Sequence, residues 1–464
     1  MKGNGTHVRR AGGRGELPPG PRMPGWLQAV GWAKRPYPLM KRCQERYGDV
    51  FTLRILHSGT WVFLCDPEDV KRVLTAPAGS LGVALANPLL TPVLGPRSVM
   101  LMEEPAHMKR RRMMLPPFHG QRMGADAEMM AAVTREQVRR WPAGKPFELW
   151  PHMQAITQEV IMRSVFGPDE AERLGRLRTL LHRLTRALND PGRLSRAAAF
   201  GPRWLARNAG FRAAMAPVEA ELLAEVDRRR RAGENGRKDI VSILIDARYE
   251  DGSPLGEKDL RDELMTLLTD GPTSSSLAWV FERLLRHPEK LARLQAEVLA
   301  GEEDAYMDAV VKETLRLCPP VPVVVRRLLA PMELGGYELP AGTVVAPCVY
   351  LIHRNEEIYP HPRHFLPERF LEEPPGTYTW IPFGGGTRRC LAASYAELEM
   401  KRVLRTVLSE VDLRPADSDS ERARRSAISF SPDKRGRVIA EPRKPAHDPE
   451  AEAVEPWQPS PIYS

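Results

Sequence analysis

Phe383-Gly384-Gly385-Gly386-Thr387-Arg388-Arg389-Cys390-Leu391-Ala392 is the stretch on which the reading of this chain turns. Three consecutive glycines deliver a single cysteine to the start of a helix. Ala392, Ala396, Met400, Val403 and Val407 follow at spacings of three and four, an apolar stripe on one helix face. Glycines let backbone N–H groups come close to a sulfur, because no Cβ stands between. Those N–H groups and a helix N-terminus favour a thiolate over a thiol. A glycine loop with one cysteine also suits a small core residue after a turn. The further phenylalanine and arginine at fixed offsets make the pattern much more specific.

The rest of the chain bounds the answer. It has 464 residues, with 42% hydrophobic and 27% charged, an ordinary globular composition. The net charge of +9 admits nucleic acid, an anionic surface or an acidic protein as partner. No paired zinc ligands, basic region with heptads or aromatic RNA motif accompanies it, so no nucleic acid is expected. Cys43, Cys65, Cys318, Cys348 and Cys390 are odd in number and widely spaced, which speaks against a disulfide framework and against structural zinc. A reducing compartment suits them. The longest apolar run, Val344 to Ile352, is far short of the roughly 20 residues that span a bilayer. With no signal pattern at the N-terminus, a cytoplasmic protein without a membrane anchor is expected.

Residues 1–16, rich in Gly and Arg, and 442–464, rich in Pro and acidic residues, read as disordered tails around one domain over 17–441. Val50 to Leu56 and Thr60 to Leu64 flank His57-Ser58-Gly59 as a hairpin. Asp66-Pro67 reads as a helix start, with Asp66 as the N-cap. Helices are expected over Glu257–Leu268, Ser274–Arg286 and Tyr306–Leu317. A terminal hairpin is expected to join Ala427–Phe430 to Arg437–Ala440. The fold class is mainly α (α+β), helix-rich with small sheets near the ends.

The cysteine loop closely resembles the heme-binding loop of the cytochrome P450 family. Other segments occur in that family's order. Lys312-Glu313-Thr314-Leu315-Arg316 precedes Phe365-Leu366-Pro367-Glu368-Arg369-Phe370, and the resemblance implies that Glu313, Arg316 and Arg369 interlock to hold the loop. His107 and Arg111 lie at i and i+4 on one helix face, and the resemblance makes them propionate contacts. Arg388 and Arg326 are implied in the same role, with Arg327 as the alternative beside Arg326. Cys390 is the implied iron ligand, and Phe383 belongs to the same cofactor-binding set. The resemblance covers about Leu17 to Ala440. It implies heme b (iron protoporphyrin IX), whose thiolate ligand favours O–O cleavage. The implied reaction is insertion of one oxygen atom of O2 into a small lipophilic substrate. The charge-poor stretch from Leu81 to Met102 is the candidate pocket lining.

Two departures stand out. Ala392 replaces a glycine of the family pattern. The distal segment Leu267-Leu268-Thr269-Asp270-Gly271-Pro272-Thr273-Ser274-Ser275-Ser276-Leu277-Ala278-Trp279 is about two residues short of the family's acid–alcohol motif. Proline inside a helix removes a donor and clashes with the preceding turn, so the helix is expected to break or kink at Gly271-Pro272. Asp270 and Thr273 are the candidate replacement for the acid and the alcohol. This departure keeps a heme-thiolate isomerase or dehydratase, and a non-catalytic heme binder, as alternatives. With no flavin or iron–sulfur segment in the sequence, electrons are expected from a ferredoxin and ferredoxin reductase. Lys109, Arg110, Arg112, Arg389, Lys401, Arg402 and Arg405 are the candidate docking cations for an acidic carrier.

Overall fold

The computed structural model describes residues 16–118, 120, 122–167, 171–233, 237, 239–269, 271–301, 304–426 and 428–443. Helices dominate, and four small sheets lie among the described residues. The expected hairpin pairs Val50–Ile55 with Gly59–Leu64 in antiparallel register, Phe51 facing Phe63. Those two rings stack with centroids 4.9 Å apart, the kind of cross-strand contact that fixes register. Val344–Pro347 adds to Gly59–Leu64 in parallel, followed by Arg326–Leu328 and Leu81–Gly82. Asp66 caps the helix Pro67–Leu74, its carboxylate accepting the N–H groups of Glu68 and Asp69 at 2.9 and 3.3 Å.

The core is built around the helix Pro272–Leu285, where every residue from Ser274 to Glu282 is buried. A helix buried on all faces belongs at the centre of a bundle. It packs against Leu149–Phe166, Pro288–Ala300, Ala305–Leu317 and Ala393–Glu410. The preceding helix, Glu257–Leu268, ends where the sequence places its end. Thr269 follows at φ −83°, ψ 58°, outside the helical region, and Gly271 stands at φ −161°. Pro272 then occupies the first turn of a new helix, where its missing N–H would be unused in any case. The break is therefore complete, and the proline carries none of the penalty of an interior position.

One expected pairing is wrong. Ser429–Pro432 pairs with Ala423–Ser426, while Arg437–Pro442 pairs with Val411–Pro415 and Pro146–Glu148. The two segments are not partners of each other, because the second satisfies its backbone in a three-stranded sheet that reaches back to the middle of the chain. Arg437–Pro442 also runs into the expected C-terminal tail by one residue. Residues 1–15 and 444–464 lie outside the described residues.

Candidate functional site

The glycine loop lies against the end of the helix that Asp66 starts. A Cβ on Gly386, at φ +63°, would stand 1.8 Å from the Leu74 carbonyl oxygen, and one on Gly385 would be 2.9 Å from the Leu74 side chain. At Gly386 glycine is thus required both for its backbone conformation and for close approach, whereas Gly385 is extended and meets only a side chain that can shift. The Cys390 N–H donates to the Phe383 carbonyl at 2.9 Å, closing the loop. Of the five cysteines, Cys390 alone is exposed; Cys43, Cys65 and Cys348 are buried and Cys318 half-buried. Burial pushes the Cys43 thiol up to about 11. Ala392 sits at φ −96°, open to any L-residue, so the departure from glycine brings no backbone strain.

Cations gather round the loop. Arg388 donates to the Met102 carbonyl at 2.7 Å and lies 3.4 Å from Glu104 and 3.8 Å from Glu103. Its buried Nη2 makes no hydrogen bond to a described residue. Arg326 feels Arg388: burial and then that like charge push its pKa down to about 10, while Glu103 acts the other way. Arg327 turns elsewhere, donating to the carbonyls of Leu85, Gly342 and Ser58. The structure therefore separates two neighbours that the sequence leaves equivalent. Arg111 is lowered by burial, with Cys390 acting against this and Arg389 adding to it. His107 is buried, its Nδ1 2.7 Å from Glu104 Oε1. Burial first, and then Arg388, bring it down to about 4, so it is neutral near pH 7. His107, Arg111, Arg326, Arg388 and Cys390 thus form one neighbourhood. A cluster of mutually repelling guanidiniums beside one exposed thiol suits a dianionic group with a metal at its centre.

Behind the loop, Glu313 and Arg316 are fully buried and doubly bonded, at 2.6 and 2.9 Å. Arg369 Nε lies 3.3 Å from Glu313. Arg316 also donates to the carbonyls of His353, Pro362 and His364. The implied interlocking is present. Sequence reading missed its continuation: His353 Nε2 accepts the Ile381 N–H at 3.0 Å, and its Nδ1 lies 3.2 Å from the Arg316 carbonyl. Ile381 stands two residues before Phe383, so His353 ties the buried ion pair to the loop. Trp380 adds a second tie, donating to the Lys312 carbonyl at 3.2 Å. The available signal was only a histidine just after a long apolar run.

Burial first, and then the charge of Arg316, push His353 down to about 3. Its proton affinity is lower folded than unfolded, so its contribution is whole above about pH 6.5 and shrinks as pH falls toward 3. His107 acts with the same sign. Between about pH 7 and 5.5 the two together should cost roughly 2 kcal/mol of unfolding free energy. Urea midpoints across that range measure it, and the slope should flatten in His353→Asn; an unchanged slope would remove His353 from this account.

On the distal side, Thr273 is half-buried in the first turn of the new helix. Asp270 lies outside the described residues. Ser275, unremarked in the sequence, accepts from Trp150 Nε1 at 3.3 Å and lies 3.2 Å from Ser429. Of the stretch proposed as pocket lining, Leu85, Leu89 and Met100 are exposed, whereas Val93, Leu94, Val99 and Leu101 belong to the main core. Among the docking cations, Lys401 and Arg405 are engaged by Asp308 and Asp304, Arg112 by Glu250, and Arg110 by Glu263. No helix among the described residues is long and apolar enough to cross a membrane.

The family model described as Cytochrome P450 matches residues 17–438. Cytochrome P450 135B1 of Mycobacterium tuberculosis is 38% identical over 437 residues, 91% of each chain. Cytochrome P450 138 of Mycobacterium bovis is 34% identical over 438 residues, 91% of this chain and 96% of its own. Among solved structures, retinoic acid-bound cyanobacterial CYP120A1 superposes with a TM-score of 0.80 at 22% identity, over 92% of this chain and 99% of its own. The exposed thiol and the cation cluster fit the heme b that this fold and family bind. On the extent of these matches, the chain belongs to the cytochrome P450 family.

Proposed function

We propose that this protein is a monooxygenase that places one oxygen atom of O2 into a small lipophilic substrate, with electrons from a separate ferredoxin and ferredoxin reductase. The observation that carries the reading is the exposed Cys390 thiol, held by a loop that tolerates only glycine at Gly386 and felt by Arg111, with His107, Arg388 and Arg326 next in the same chain of charges. Cys390 would hold the iron, in the loop that the Phe383 carbonyl closes. Arg388, Arg326, Arg111 and His107 would hold the propionates. When bound, the heme supplies reductive activation of O2 and oxygen transfer, and the protein supplies ligation, dryness and orientation. With Lys401 and Arg405 spent on aspartates, Lys109, Arg389 and Arg402 are the cations that an acidic carrier would meet.

Asp270 and Thr273 are assigned to proton supply across the helix break. Thr273 opens a helix instead of sitting within one, which is why a reductant-independent isomerase or dehydratase and a non-catalytic heme binder are kept as second readings. One experiment separates all three. The heme-loaded protein is screened against lipophilic substrates with reductant and oxygen-18 gas, and with neither. Labelled product in the first condition alone supports the monooxygenase. Product in both points to the isomerase, and ligand binding without product points to the binder. In the same assay Thr273→Ala should lower product per electron pair by about 10-fold or more while electron consumption continues; unchanged coupling removes Thr273 from proton supply.

A further inference from the structure

The hairpin Ala423–Ser426/Ser429–Pro432 holds a cation that nothing in the heme neighbourhood explains. Arg425 pairs across the strands with Phe430. Its guanidinium lies 5.6 Å from the Trp32 ring centre and 5.3 Å from that of Phe430. Tyr37 continues the wall, 4.9 Å from Phe430 and stacked on Tyr350 at 4.1 Å. The Tyr37 hydroxyl is already committed to the Pro319 carbonyl.

Arg425 is half-buried, and the three arginines buried outright among the described residues are matched. Arg110 has Glu263 and the Tyr249 hydroxyl, Arg229 has Glu225 and Asp239, and Arg316 has Glu313 and three carbonyls. Arg425 has no hydrogen bond or ion pair to a described residue, and its Nε is shut away from solvent. Burial pushes its pKa down to about 10, with Tyr37 acting in the other direction. Burying a charge without a partner is costly, so such a group persists where a partner arrives. The hairpin also touches the helix start that carries the proposed proton-supply residue. Ser429 lies 3.2 Å from Ser275 and 3.5 Å from the Gly271 carbonyl, at the start of the helix that carries Thr273. Ser426 reaches Asn189, just beyond the helix Ala171–Leu188, at 3.2 Å.

We propose that Arg425 seats the carboxylate of an otherwise apolar substrate, which makes a long-chain carboxylic acid the substrate class. A planar guanidinium matches a carboxylate through two parallel hydrogen bonds. A single cation suits a single negative charge better than a phosphate dianion, and the aromatic wall suits an apolar body. The assignment rests on the monooxygenase reading for the fate of the substrate, but the anchoring is a binding property with its own readout.

The test is equilibrium dialysis of the heme-loaded protein with dodecanoate and with dodecan-1-ol, on wild type, Arg425→Gln and Arg425→Lys. Wild type should hold dodecanoate about tenfold tighter than the alcohol, as a charge-assisted pair requires. Arg425→Gln should lose that preference while its affinity for the alcohol stays within about twofold; Arg425→Lys should keep part of it. Equal affinities in wild type, no dodecanoate binding, or an equal drop for both ligands in Arg425→Gln would each overturn the proposal and leave Arg425 as a stacked structural cation. Should Arg425→Gln not fold, the wild-type comparison and Arg425→Lys decide. A carbon-monoxide difference spectrum on the same samples judges the heme-thiolate reading separately, so either idea can fail alone.

Discussion

Cys390→Ser yields a protein that folds but shows no thiolate signature in its reduced carbon-monoxide difference spectrum, and it does not turn substrate over. Changes to groups that merely support a metal ligand typically cost roughly 10–100-fold in metal affinity or activity, so loss of the ligand itself should exceed about 100-fold. A serine oxygen is harder, far less acidic than the thiol, and a poor electron donor to iron. The loop should survive, because its closure uses the backbone N–H of residue 390 and the Phe383 carbonyl, which serine retains. Cys43→Ala, at a buried thiol in a hydrophobic cluster that does not include Phe383, serves as the control and should keep the spectrum. A wild-type spectrum in Cys390→Ser would place the iron on another side chain and end the assignment.

The second large effect is on stability. Arg316→Leu leaves Glu313 buried without its main partner and strips donors from three carbonyls. Removing one member of a buried pair costs about 3–5 kcal/mol. Against a total stability of about 5–15 kcal/mol, that is enough to unfold much of the protein. Heme content should fall with it, since the pair holds His353, and His353 holds the backbone of Ile381 beside the cysteine loop. Urea midpoints and heme-to-protein ratios measure both losses. Replacing Glu313 and Arg316 together by leucine and methionine should recover part of the stability, because no lone charge remains buried. It should not recover all, because the carbonyls stay unpaired. A midpoint for Arg316→Leu equal to wild type would show that the pair contributes nothing.

Legibility in the sequence followed the range of the interactions. The hairpin Val50–Ile55/Gly59–Leu64, the Asp66 cap, and the helix break before Pro272 were all readable, because each is settled within a few residues by turn chemistry, capping or a missing donor. Glu313 and Arg316 lie one helical turn apart, so their pairing was readable too. The pairing of Arg437–Pro442 was not. Period and composition mark a strand without naming its partner, and this one reaches back nearly three hundred residues to Pro146–Glu148. His353 was missed for the same reason: its partner Ile381 is twenty-eight residues away, with no periodic signal between them.

By itself the sequence marked Cys390 as the candidate sulfur, the glycine turn before it and the class of fold that carries it, because those depend on residue type and short spacing. Only the tertiary structure decided which of two adjacent arginines faces the cluster, which histidine links the buried ion pair to the loop, and that Arg425 has no counter-ion among the described residues. Those are properties of a shared environment. Charge, burial and the absence of a partner arise when distant segments are brought together, and no local pattern encodes them.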